Sequence, residues 1–346
     1  MEEKRVPRAG SFDRLGPEAI IDAVEGCIDG LRLDGTVTAY PSYVNRVYGL
    51  KSEEGNELIA KFYRPGRWDR PTIQEEHRFL LDCAEAEIPV VAPIALNGGG
   101  TLGEVLIEAE EEEAEASYLF ALFPKMGGRN FDAETEEDWL RLGSLVGRIH
   151  AAGDRRPSPR RPICSPTDLT IPHVSYLVEA GLVHPDLRAE FQSLCDGTLD
   201  LVAPLFEAVR MRRIHGDCHR GNILDRPGEG LLVIDFDDMM TGPAAQDLWL
   251  LLPDHAESCR RELGLLVEGY ERFLPFDRRE LDLVEPLRFM RMVFFLAWRA
   301  RQRDDRWFRA SFPDWGTEAF WIKELEDLGD QARIVRTALA DWKRRE

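Results

Sequence analysis

The chain has 346 residues, 44% of them hydrophobic, which is material for two domains or one large two-lobed one and excludes global disorder. Its formal net charge of −19 argues against nucleic acid as a partner, because phosphate backbones require a basic surface. No apolar run reaches the length of a membrane span, Met1–Arg5 has no apolar core behind it, and the six cysteines form no C-x-x-C pair. A cytoplasmic protein with reduced thiols is the expectation. An acidic chain still binds nucleotide through a local basic pocket and a divalent cation. It also tolerates a cationic acceptor, although the acidity serves solubility equally well.

In chain order, Pro17 opens a predicted helix to Ile28, with Ile20, Ile21, Val24 and Ile28 at helical spacing. Strands are predicted over 36–40, 46–50 and 57–63, the last two joined by a polar turn at 51–56. The segment Tyr40–Arg46 is no Gly-rich loop, yet a strand-turn-strand there can lay backbone N–H groups and the Ser42 hydroxyl over phosphates; an ordinary turn is the plainer reading. Lys61 alternates with Ile59 and Tyr63, a mixed face that suits a cleft better than bulk water. A helix is predicted over 72–86 with Glu76 on its apolar stripe. A buried carboxylate needs a cation, and Lys61 is the candidate; Glu75 is the alternative acid. Residues 88–96, 104–107 and 118–123 read as strands, and the acidic run 108–115 as a solvated loop. Composition shifts at Pro124–Gly128. Beyond it lie a helix over 137–150 that Gly153 should stop, a basic Pro-rich linker over 155–162, and helices over 187–209, 244–252, 262–273, 287–301 and 319–339.

The stretch from Ile214 to Asp238 carries the chemistry. Ile223-Leu224 and Leu231–Ile234 form a predicted hairpin that brings Asn222 near Asp235. One amide oxygen beside one carboxylate suits Mg²⁺, a hard cation that takes few protein ligands plus phosphates and water. Asp217 lies five residues before Asn222 and can accept the proton of an incoming hydroxyl. The protein-kinase template H-R-D-x-x-x-x-N is matched by His215-Gly216-Asp217 with Asn222 at the same offset, and DFG by Asp235-Phe236-Asp237. His215, His219 and Cys218 read as structural, and Asp247 as an acceptor for loop N–H groups. Gly216 replaces the template Arg, no A-P-E follows, and Gly242-Pro243 comes soon after, so no long activation loop is expected. This is the pattern of the aminoglycoside phosphotransferase-like kinases, which include choline and homoserine kinases.

Further segments make the likeness more particular. Ser42–Tyr48, Lys61–Pro65 with Arg67-Trp68, Glu75-Glu76-His77, Gly242-Pro243-Ala244, Gln246–Trp249, Glu285–Arg288 and Leu296–Trp298 resemble the bacterial stress response kinase A family over about residues 12–325. The resemblance implies a cytoplasmic, monomeric Ser/Thr protein kinase that uses ATP and Mg²⁺ in stress survival. It implies Asp217 as catalytic base, Asn222 and Asp235 as metal ligands with Asp235 also catalytic, Ser42 in the ATP-contacting loop, and Lys61 on phosphate with Glu76 as its partner. The acidic run 108–115 is not explained by the family.

The expected fold is α+β and protein-kinase-like, with a β-rich nucleotide-binding lobe over 1–125 and a mainly helical catalytic and substrate lobe over 126–346. The partner is a protein with a Ser/Thr hydroxyl, with no nucleic acid and no membrane. Two other readings stay open: a small-molecule kinase on the same fold, and a non-catalytic nucleotide-binding scaffold. The intact set of Lys61, Asp217, Asn222 and Asp235 argues against the scaffold.

Overall fold

A computed structural model describes residues 12, 14–42, 44–107, 116–303, 308 and 312–342. The acidic run 108–115 lies outside the described residues, as does Tyr43. The chain folds as two compact units: residues 1–131 with 221–237, and residues 132–220 with 238–346.

The first unit is built on an antiparallel sheet. Its strands are β1 (Leu33–Tyr40), β2 (Arg46–Ser52), β3 (Glu57–Phe62), β4 (Gly103–Ile107) and β5 (Ala116–Pro124), in the spatial order β1-β2-β3-β5-β4. Helix α1 (Pro17–Cys27) places Ile20 and Val24 in a core with Leu50, Ala60, Phe62, Phe120 and Leu122. Helix α2 (Arg70–Glu85) starts at Asp69, whose carboxylate accepts the Thr72 N–H at 2.9 Å as an N-cap. Residues 88–96 do not form the expected strand. Pro89 and Pro93 lack the N–H that a ladder needs, and only Val90 makes a bridge, to Val233.

A second small sheet completes this unit. Strand β6 (Arg129–Asn130) pairs with β8 (Ile223–Arg226), and β8 with β9 (Gly230–Val233). The Val233 N–H donates to the Pro89 carbonyl at 2.9 Å. These backbone bonds tie the hairpin to residues far earlier in the chain, so a single cut at 125/126 does not describe the packing. The Asp132–Arg220 segment and everything after Asp237 form the other unit.

The second unit is mainly helical. It contains α3 (Glu136–Gly153), α4 (Ile171–Glu179), α5 (Arg188–Glu207), α6 (Ala245–Trp249), α7 (Arg260–Glu271), α8 (Val284–Gln302) and α9 (Glu318–Trp342). The short strands β7 (Arg212–Ile214) and β10 (Met240–Gly242) pair antiparallel, Ile214 opposite Met240. Helix α3 opens with a capping box between Thr135 and Asp138 and buries the expected stripe of Trp139, Leu142, Leu145, Val146 and Ile149. It runs through Gly153 rather than stopping before it. Helices α3 and α7 meet backbone to backbone: a Cβ on Gly143 would stand 1.9 Å from the Leu266 carbonyl oxygen. No described helix is long and apolar enough to cross a membrane.

Candidate active site

The candidate residues fall into two groups, one in each unit. In the first unit, Lys61 is the penultimate residue of β3 and is 9% exposed. Its Nζ lies 3.2 Å from Glu76 Oε1 on α2, 3.1 Å from Asp237 Oδ1 and 3.7 Å from Asp235 Oδ1. Of the two acids open in the sequence, Glu76 is the one paired with Lys61. Burial by itself would lower the Lys61 pKa; Asp237 and Glu76, then Tyr63 and Asp235, outweigh it and hold the ammonium well above its ordinary range. Lys61 is therefore a fixed cation. Glu76 is also approached by the Tyr63 hydroxyl at 3.4 Å, and Tyr63 in turn by His77 Nε2 at 2.9 Å.

Asp235 and Asp237 divide the work between them. Asp237 is buried and ion-paired with Lys61 and Arg67. Asp235 keeps 56% of its side chain exposed and has φ +61, the left-handed region that Asp tolerates better than most residues. Such strain persists where the surroundings hold it. The hairpin pairs Ile223 with Val233, and the Ile234 N–H donates to the Asn222 carbonyl at 3.0 Å. Asn222 and Asp235 therefore stand at the same end of the hairpin, an amide oxygen and a carboxylate, hard donors of the kind a divalent cation takes. Ser42 lies just after β1, its carbonyl accepting from the Arg46 guanidinium at 3.2 Å. The same turn is held by Arg64, whose N–H reaches Asn45 Oδ1 at 3.1 Å and whose Nε reaches the Val44 carbonyl at 2.8 Å.

In the second unit, Asp217 follows β7. Arg291 of α8 forms an ion pair with its Oδ1, and His219 Nε2 is 3.6 Å from its Oδ2. The Asp217 N–H donates to His215 Nδ1 at 3.2 Å, and His215 is fully buried beneath the loop. Gly216 adopts φ +82, and a Cβ there would meet the Asp238 carbonyl oxygen at 2.3 Å. The template Arg has no room at this position, which accounts for the glycine.

Asp247 at the start of α6 holds this loop. Its carboxylate accepts the His215 N–H and the Gly216 N–H, each at 2.8 Å. It lies 2.9 Å from His150 Nε2. Burial alone would raise its pKa; the hydrogen bond from His150, with the Gly216 N–H, brings it below the ordinary carboxylate value. The Arg212 guanidinium donates to the Tyr270 hydroxyl at 2.6 Å, leaving that hydroxyl to donate to His150 Nδ1 at 3.2 Å. His150 is thus a neutral imidazole with its proton on Nε2, and burial pushes its pKa down. Cys218 is buried and its thiol is held well above the ordinary value by burial, then Asp247 and Asp217, so it is inert.

Glu280 caps the same helix from behind, Oε2 accepting the Ala245 N–H at 2.9 Å. Its Oε1 is buried with no hydrogen-bond partner among the described residues. Burial pushes the carboxyl up from 4.5 to about 7, and the Ala245 bond and the Arg212 charge offset this only in part. A folded-state pKa raised above the unfolded value gives stability that is full below about pH 4.5 and is lost as pH rises through about 7. Glu280→Gln should flatten that slope. Thermal melts from pH 4 to 8 should show the variant gaining on the wild type with rising pH, by up to about 3 kcal/mol. Parallel curves would contradict the assignment.

Residues 36–284 match the phosphotransferase enzyme family. Stress response kinase A of Salmonella paratyphi A is 37% identical over 328 residues, 94% of this chain and 95% of that protein. The chain belongs to the stress response kinase A family. The same-named protein of Escherichia coli K12 is 36% identical over 329 residues, 95% of this chain and 96% of its own. A Salmonella typhimurium relative named serine/threonine protein kinase RdoA is 36% identical over 328 residues, 94% of this chain and 95% of its own. Among solved structures, an aminopropanol kinase superposes with TM-score 0.66 at 17% identity, over 94% of this chain and 97% of that one. An amicoumacin kinase bound to AMP-PNP and Ca²⁺ gives 0.64 at 18%, over 86% and 89%. At such identities these two show the fold, which is α+β and kinase-like. Family membership makes the chain a phosphotransferase that uses ATP.

Three partners in this stress response kinase A family member were not assigned from sequence. In the sequence Arg67 reads only as part of a motif, yet it ion-pairs with Asp237. Arg291 lies 74 residues from Asp217, and His150 lies 97 from Asp247. No local pattern signals such pairs. The one available hint was Gly216, whose smallness implies a close backbone neighbour.

Proposed function

We propose that this chain is a Ser/Thr protein kinase. The acceptor hydroxyl oxygen attacks the ATP γ-phosphorus, the bond to the β,γ-bridging oxygen breaks, ADP leaves, and the hydroxyl proton passes to the Asp217 carboxylate. Arg291 and the His215–Asp247 network hold Asp217 for that task. Lys61, kept charged by its carboxylates, takes the phosphates, with Glu76 fixing its position and Ser42 in the loop over them. Asn222 and Asp235 would hold Mg²⁺, which when bound neutralises phosphate charge. The N-terminal unit is then the nucleotide-binding part and the C-terminal unit the catalytic and acceptor part. The reading places the enzyme in the cytoplasm, as a monomer acting in stress survival.

The observation that carries the choice of a protein acceptor is the identity with stress response kinase A and RdoA along nearly the whole chain. Incubation with labelled ATP, Mg²⁺ and a generic protein tests it. Label on Ser or Thr is expected; label on small alcohols alone would favour a small-molecule kinase. Asp235→Ala should weaken Mg-dependent ATP binding about 10–100-fold, the worth of one charge-assisted ligand. Titration of ATP with and without Mg²⁺ measures this, and an unchanged metal requirement would remove Asp235 from its role.

A further inference from the structure

The acceptor side of Asp217 has a charge character opposite to that of the whole chain. Helix α8 and the residue after it carry Arg288, Arg291, Arg299, Arg301 and Arg303 with no Asp or Glu from Pro286 to Arg303, in a chain of net charge −19. Asp304 and Asp305 come next and lie outside the described residues. Positions 291, 294, 298 and 301 share one face of the helix by their spacing. Arg291 begins this face at Asp217 itself.

Side-chain contacts carry the face onward without a break. The Arg291 guanidinium lies 4.8 Å from the Phe295 ring, which is 40% exposed. Phe294 lies 5.6 Å from the His173 ring on α4. Arg301 donates to His173 Nδ1 at 3.2 Å and stacks 4.6 Å from the Tyr176 ring. Arg303 donates to the Tyr176 hydroxyl at 3.1 Å. With Nδ1 accepting, His173 carries its proton on Nε2, and that atom has no hydrogen-bond partner among the described residues. Arg301 and Arg303 pair with no carboxylate among the described residues. The strip is rich in donors and poor in acceptors, and its guanidinium groups offer the forked geometry that suits carboxylates.

We infer that this strip binds the acceptor segment, and that Arg301 reads an acidic residue a fixed distance from the phosphorylated Ser or Thr. The inference rests on the protein-kinase reading and narrows its substrate class. The spacing follows from helix geometry. Arg291 and Arg301 are ten positions apart on one helix, about 15 Å at 1.5 Å per residue. An extended peptide covers that distance in about four or five residues at about 3.3 Å each. A hydroxyl at Asp217 therefore brings an acid four or five positions away to Arg301. Phe295 offers apolar contact to side chains between.

The test uses the full-length chain with Mg²⁺ and labelled ATP. Acceptors are Ser peptides bearing one Asp, Ala or Lys at each of positions three to six on either side. On one side, Asp at position four or five should raise kcat/KM over Ala by about tenfold or more, the worth of a charge-assisted hydrogen bond. Lys there should lower it. In Arg301→Ala the Asp-to-Ala ratio should fall to near one. Arg301→Glu should invert the preference toward Lys, an outcome that only a folded enzyme can give. Peptide labelling with no acidic preference in the wild type would overturn this inference and leave the protein-kinase reading intact. So would an Asp preference that survives both substitutions. Label on small alcohols alone, with no peptide or protein labelled, would overturn both.

Discussion

Asp217→Asn will slow phosphoryl transfer by about 10²–10⁴-fold while ATP still binds. The substitution keeps the size of the side chain and an oxygen to face Arg291, so the loop loses little. What it removes is the proton acceptor. Arg291 and Asp217 are mostly buried, with 16% and 20% of the side chain exposed, and an amide oxygen at 217 still accepts from the guanidinium. The unfolding midpoint should therefore move little while the single-turnover rate collapses. Single-turnover measurement with bound ATP separates the chemical step from binding. Normal turnover by this variant would show that another group takes the proton.

Asp247→Ala will do the reverse, costing stability first and activity as a consequence. The carboxylate is 1% exposed and faces the backbone N–H groups of His215 and Gly216 and the Nε2–H of His150. Removing it leaves three buried donors without an acceptor, and breaking such a set costs about 3–5 kcal/mol. That is a large part of a typical folding free energy of about 5–15 kcal/mol. The melting temperature should fall on the order of 10 °C. Asp247→Asn retains one acceptor oxygen and should fall between. An unchanged midpoint in the Ala variant would mean that solvent reaches these donors, against the burial of His150 and His215.

Sequence patterns revealed what is local. Alternation located β2 and β3, helical spacing located α3, and the hairpin signal aligned Asn222 with Asp235, because each depends on neighbours in the chain. The expectation for 88–96 failed because apolar content outweighed Pro89 and Pro93, which deny the ladder its donors. Tertiary pairing was the opaque part. Lys61 is held by Asp237 as closely as by Glu76, but 176 positions separate Lys61 from Asp237. Arg291 reaches Asp217 from α8, a helix whose sequence reads simply as amphipathic. The stress response kinase A resemblance supplied roles for motif residues and was silent about the groups that brace them.

The path of the chain has a consequence for dissection. It leaves the N-terminal unit after Phe131, returns at Gly221 and leaves again after Asp237. A gene fragment ending at residue 131 thus encodes a unit without its hairpin, leaving the backbone of Arg129, Asn130 and Pro89 without the strands they bond. Its complement would carry an orphan hairpin between β7 and β10. Neither half is a portable module, so the two cannot be exchanged between relatives by splicing at one point. Chimeras will need three junctions, and an insertion within 221–237 will disturb the N-terminal unit despite its distance along the gene.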